Sequence, residues 1–148
     1  MSIFNGIQAS GSALTAQRLR MDIVSSNLAN ADSTRGRLVD GEWQPYQRKT
    51  VSMSPKQDNS FQSNLTKALN DQGGMRVSEI GVDDAPFDEV YQPEHPDANE
   101  EGYVQMPNVD PLKEMTDLTS ASRSYEANVT ALNANKNMMM KALEIGKN

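Results

Sequence analysis

The chain has 148 residues, a formal net charge of −6, 36% hydrophobic and 5% aromatic residues, and no cysteine. That length suits one modest domain, the low apolar share excludes a single large core, and the missing cysteines exclude disulfide scaffolds and thiolate metal sites. Residues 1–50 carry six Lys/Arg against four Asp/Glu, residues 51–110 three against twelve, and residues 111–148 five against four, so no basic cluster is available for nucleic acid.

The first predicted element is a helix within residues 1–30. Ile7, Leu14, Met21 and Leu28 recur every seven residues as a packing seam. Ile3 and Val24 begin and end an adjoining row that Ser10 and Gln17 interrupt. The segment has no basic start or continuous apolar block, so it does not read as a cleavable signal peptide. No run in the chain reaches the ~18 apolar residues of a membrane span, and by these rules alone the expected location is the cytoplasm. The helix ends at "SNLANADSTRG", where Asn27 and Asn30 lie one turn apart. Their amides are expected to meet backbone groups released at the helix end.

Residues 31–110 form a predicted β-containing, acidic, Pro-rich middle. "GEWQPYQRKTVSMS" reads as an edge strand or hairpin arm, "FQSNLTKALN" as a short helix, and "GMRVSEIGV" as a strand. Residues 83–110 hold Pro86, Pro93, Pro96 and Pro107 and are expected to be extended and irregular. Within them Tyr91, Pro93, Pro96, Tyr103 and Pro107 suggest a pre-stiffened arm with aromatic anchors, lying across a neighbouring subunit.

Residues 111–148 predict a second long helix. Asp110 is a cap residue and Pro111 suits the first helical position. Leu118, Tyr125, Leu132 and Met139 recur every seven residues beside Met115, Ser122, Val129 and Leu143, with Lys136 interrupting that second row. Gly146 is placed to end the helix near Ile145. The expected fold is α+β and mainly α, with long N- and C-terminal helices packed as a coiled-coil-like pair around a small β-containing irregular middle. Two arrangements are open: a helical hairpin with a loose internal core, or helices whose core neighbouring copies complete.

Nothing in the chain has the composition of a catalytic centre. The single histidine, His95, lies in "PEHPDANEEG" among proline and acids, without a nucleophile or second base beside it. "DDAPFDE" lacks the glycine-centred alternation of a calcium loop, and "DQGGM" reads as a turn. Met138, Met139 and Met140 read as adaptable packing. The expectation is no enzyme, no cofactor and no metal.

The helix followed by Asn27, Ala29, Asn30, Ser33 and Gly36 resembles the N-terminal signature of the bacterial flagellar axial proteins of the rod and hook class. "DLTSASRSYEANVTALNANKNMMMKALEIGK" resembles their terminal helix, and "HPDANEEGYVQMPNVDPLKEM" narrows the match to the proximal-rod branch. Many relatives have an aromatic beyond the signature glycine, where this chain has Arg35 before Gly36 and Arg37 after it. The resemblance implies a structural subunit of the proximal rod of the basal body, polymerising through its terminal helices to help form a torque-transmitting shaft. It implies partnership with other rod proteins and with copies of itself in a helical assembly, without nucleic acid or membrane insertion. It also implies passage as unfolded chain through the flagellar type III export apparatus, without signal cleavage, to the periplasm or cell-wall zone. That replaces the cytoplasmic expectation. The competing class is a cytoplasmic helical adaptor or export chaperone working by helix-in-groove binding, which would make a defined dimer or 1:1 complex.

Overall fold

The computed structural model of the chain describes residues 3–55 and 74–146. Among the described residues two long helices, α1 (Ile3–Ala29) and α2 (Pro111–Ile145), bracket six short strands. These are β1 (Arg37–Val39), β2 (Glu42–Gln44), β3 (Lys49–Pro55), β4 (Met75–Val82), β5 (Asp88–Tyr91) and β6 (Tyr103–Met106). They pair as three two-stranded sheets, β1 with β2, β3 with β4 and β5 with β6. The fold is α+β and mainly α, as the sequence predicts. The expected short helix at "FQSNLTKALN" lies outside the described residues.

Local chemistry sets the bounds of α2. Asp110 Oδ1 accepts the free backbone N–H groups of Leu112 (2.9 Å) and Lys113 (3.3 Å), which caps the first turn. At the other end Gly146 N–H closes onto the Ala142 carbonyl at 3.2 Å. The β1–β2 hairpin turns on Asp40 (φ 53°) and Gly41 (φ 91°), the paired positive φ values of a two-residue type I′ turn. Its register places Leu38 opposite Trp43.

Residues 83–110 are more regular than the sequence suggests. β5 and β6 form an antiparallel hairpin in register Asp88↔Met106, Glu89↔Gln105, Val90↔Val104 and Tyr91↔Tyr103. Pro93 and Pro96 fall in the connecting loop and Pro107 just beyond β6, so no proline interrupts the ladder. The loop returns through Gly102 (φ 82°), where a Cβ would come within 2.9 Å of the Tyr91 ring.

The chain divides into two compact units, residues 1–21, 52–79 and 120–148 in one and residues 22–51 and 80–119 in the other. In the first, Ser10, Ala16 and Ala121 are buried, and a Cβ on Gly6 would touch the Asn135 side chain at 3.0 Å. Ser12 Oγ there accepts the Met75 N–H at 3.0 Å. In the second, Ile23, Val24, Asn27, Val104, Val109 and Glu114 are buried. Along α1 the buried positions are therefore Ser10, Ala16, Ile23, Val24 and Asn27, while Ile7, Leu14, Met21 and Leu28 are half-buried. On α2, Glu114, Ala121 and Asn135 belong to one heptad row of polar and small residues, and they fill the inward positions. The neighbouring apolar row, Leu118, Tyr125, Leu132 and Met139, is half-buried together with Val129, and Met115 and Leu143 are exposed.

Candidate functional site

The end of α1 is tied into the second unit by a buried polar junction. Asn27, 1% exposed, uses its whole amide. Its Nδ2 donates to the Lys49 carbonyl (2.9 Å) and to Glu114 Oε2 (3.0 Å). Its Oδ1 accepts the Lys49 N–H (2.9 Å) and the Tyr46 hydroxyl (3.0 Å). The side chain thus pairs with both backbone groups of Lys49 as a neighbouring strand would. An amide offers two donors and two lone pairs, so all four positions are occupied and burial leaves none unpaired. Asn30 acts locally instead, donating to the Ser26 carbonyl at 2.8 Å, one turn back. Of the two asparagines expected to serve the helix end, Asn30 does so and Asn27 reaches across to other segments.

Glu114 is 0% exposed at the start of α2 and needs a charge partner. Arg48 supplies it, with Nε and Nη2 at 2.8 and 2.7 Å from Oε1, a two-pronged grip on one carboxylate oxygen. Arg48 Nη1 also reaches Asp83 Oδ2 at 3.2 Å. Burial would lower the Arg48 pKa, yet Glu114 and Asp83 outweigh it and leave it raised, so the guanidinium stays charged. The Asp83 carboxyl is held below its ordinary value by the Ala85 N–H first and then by Arg48. Asn108 completes the junction, accepting the Arg48 N–H at 2.9 Å and donating to the Asp83 and Ala85 carbonyls.

Gly36 has a role of contact rather than flexibility. A Cβ there would lie 2.5 Å from Tyr46 Cα, closer than any side chain permits. The bare glycine lets the backbones touch, with Gly36 N–H on the Gln44 carbonyl (2.8 Å) and Tyr46 N–H on the Ser33 carbonyl (3.0 Å). Ala29 is exposed at the helix end. Arg35 does not disturb this turn: it points to Asp97, its Nε 2.8 Å from Oδ1, while Thr34 Oγ1 donates to Oδ2 at 2.8 Å. Arg35, then Thr34, hold the Asp97 carboxyl below the ordinary carboxylate range.

The expected inter-subunit arm is thereby attached to its own chain at Asp97. Tyr91 and Tyr103 stand opposite each other on the hairpin with rings 5.4 Å apart and edge-on. Both are exposed, as are Pro93 and Pro96, while Pro107 is buried. Sequence reasoning missed Tyr46, Arg48, Asp83, Asp97, Asn108 and Glu114. Their types are ordinary, and their partners lie far away in sequence. The Asp40-Gly41 pair was a local signal for the first hairpin. Among the described residues no group of three or more His, Asp or Glu could hold a metal ion. The junction is built to hold α1, Lys49 and α2 in one register.

Residues 7–36 match the family described as "Flagella basal body rod protein", and residues 100–145 match "Flagellar basal body rod FlgEFG protein C-terminal". The first match spans the end of α1 with Asn27 and Gly36, the second β6 and α2 with Glu114. The chain is 60% identical over 151 residues to the flagellar basal-body rod protein FlgC of Bacillus subtilis, covering 99% of this chain and 100% of that protein. It is 45% identical over 147 residues to the FlgC of Escherichia coli, with 99% and 100% covered. To the FlgC of Borreliella burgdorferi it is 39% identical over 153 residues, with 98% of each covered. With both terminal segments matched and identity running from end to end, the chain belongs to the FlgC family of flagellar basal-body rod proteins.

Proposed function

We propose that this structural rod subunit builds the proximal part of the rod by packing its terminal helices against copies of itself and against other rod proteins. The observation that carries this reading is the mismatch between the two faces of α2. Its inward row is polar and small, whereas Met115, Met138, Met140, Leu143 and Ile145 are exposed, Leu143 at 72%. Apolar rows repeated along a 35-residue helix need a cover that the described residues do not supply. Neighbours in a helical array supply it, and heterologous contacts that do not close produce a filament. The chain then transmits torque mechanically and catalyses nothing.

The same economy suits passage as unfolded chain through the flagellar type III export apparatus, without a cleaved signal, to the periplasm or cell-wall zone. No helix of the described residues is long and apolar enough to cross a membrane. The test is direct imaging of purified basal bodies in which the chain carries a small tag. Density in the rod next to the membrane ring is the expected result. Recovery of the chain as a cytoplasmic dimer or 1:1 complex, absent from basal bodies, would overturn the reading.

A further inference from the structure

The polar junction accounts for the end of α1, but not for a cleft on the other side of the signature turn. This cleft of ≈ 410 Å³ lies between the two hairpins, and Thr34, Glu42, Trp43, Glu89, Asn99 and Tyr103 are among the residues lining it. Trp43, the one tryptophan of the chain, is 58% exposed there and Tyr103 41%. Large aromatics left in water beside carboxylates are a recognition surface more than a packing accident. Asp97 also lines the cleft, but Arg35 and Thr34 already occupy it. Glu42 and Glu89 have no ion-pair partner among the described residues.

We propose that this cleft receives a cationic side chain from α2 of a second copy of the chain. Exposed aromatic surface and unpaired carboxylates together favour a guanidinium or ammonium group, held by its charge and by the aromatic rings. The same chain carries the complement. Arg123 and Lys136 are exposed on α2, and neither is ion-paired among the described residues. Acid is concentrated in residues 51–110, with three Lys/Arg against twelve Asp/Glu, whereas residues 111–148 carry a slight basic excess, five against four. Different patches meeting on successive copies is the arrangement a growing filament requires. The inference rests on the rod reading above and assigns one of its contacts.

Trp43 provides the readout on the full chain. A synthetic peptide of residues 118–141, which has no tryptophan, is titrated while Trp43 emission is followed. The proposal expects a saturable shift that weakens as salt is raised, because exposed charges are screened. It expects affinity to fall about tenfold with the peptide carrying Arg123→Gln and Lys136→Gln, or with the chain carrying Glu42→Gln and Glu89→Gln. In basal bodies, Glu89→Cys combined in the same chain with Arg123→Cys or with Lys136→Cys should give an oxidative cross-link between copies in one of the two pairings. The cysteine-free background makes that band unambiguous. No saturable shift, an equal shift with the neutral peptide, or a shift produced instead by a chitin oligosaccharide overturns the proposal. If the chain still sits in imaged rods while these tests fail, only the cleft assignment falls. If it is absent from rods, the rod reading fails.

Discussion

Asn27 shows how one amide can define a junction. Asn27→Asp keeps the shape but loses both donated hydrogen bonds, and it sets a second carboxylate beside the buried Glu114. The expected loss is about 3 kcal/mol or more of stability in urea unfolding of the full chain. Arg48→Met leaves Glu114 buried without a counter-charge and should cost about 3–5 kcal/mol, and adding Glu114→Gln should recover part of it. An Arg48→Met chain as stable as the parent would show that the pair is not buried as described. Asp97 predicts a pH effect of defined sign. Its folded pKa is depressed, chiefly by Arg35, so its contribution is fully present above the ordinary carboxylate pKa of about 3.9. That contribution is lost as pH falls from there through the lower folded value. Asp97→Asn should therefore flatten the acid sensitivity of the 91–103 loop below about pH 4, read by tyrosine NMR signals, and change nothing in the slope above it.

The elements differ in how openly the sequence declares them. Both long helices were legible because their signals are local: a seven-residue apolar repeat, a capping Asp110 and a terminal glycine. The strand β4 was legible by alternation. The β5–β6 hairpin was hidden because two four-residue strands are too short for a period to emerge, and the prolines around them suggested disorder of pattern. The junction was illegible for another reason: Asn27 contacts residues 22 and 87 positions away, and Arg48 reaches Glu114 66 positions on. Nor did hydrophobic spacing identify the inward face of the helices, where Ser10, Asn27 and Glu114 are more buried than Leu14 or Leu132. Polar groups satisfied inside the chain leave the apolar rows for something else. Leu132→Asp should accordingly change the stability of the free chain by less than about 1 kcal/mol, since the position is only half-buried, yet abolish rod assembly and motility. A motile strain carrying it would remove the α2 row from the interface. Tyr103→Ala tests the hairpin: a loss of less than about 1 kcal/mol in the free chain with failed incorporation supports a contact surface, whereas a loss of 2 kcal/mol or more supports an internal packing role.

In the whole molecule, stability divides between what the chain holds by itself and what a rod would add. The junction of Asn27, Arg48, Asp83, Asn108 and Glu114 is complete within one copy. On α2, Met115, Met138, Met140, Leu143 and Ile145 are left exposed by the described residues, and a helix with an exposed apolar face opens at low free-energy cost. Amide hydrogen exchange, measured residue by residue on the free chain and on the same chain in purified rods, tests this division most directly. The expected result is fast exchange over residues 118–143 in the free chain, slower exchange at Lys49 and around Glu114, and strong protection of 118–143 in the rod. Equal protection of residues 118–143 in both states would contradict it, since α2 would then owe its stability to its own chain.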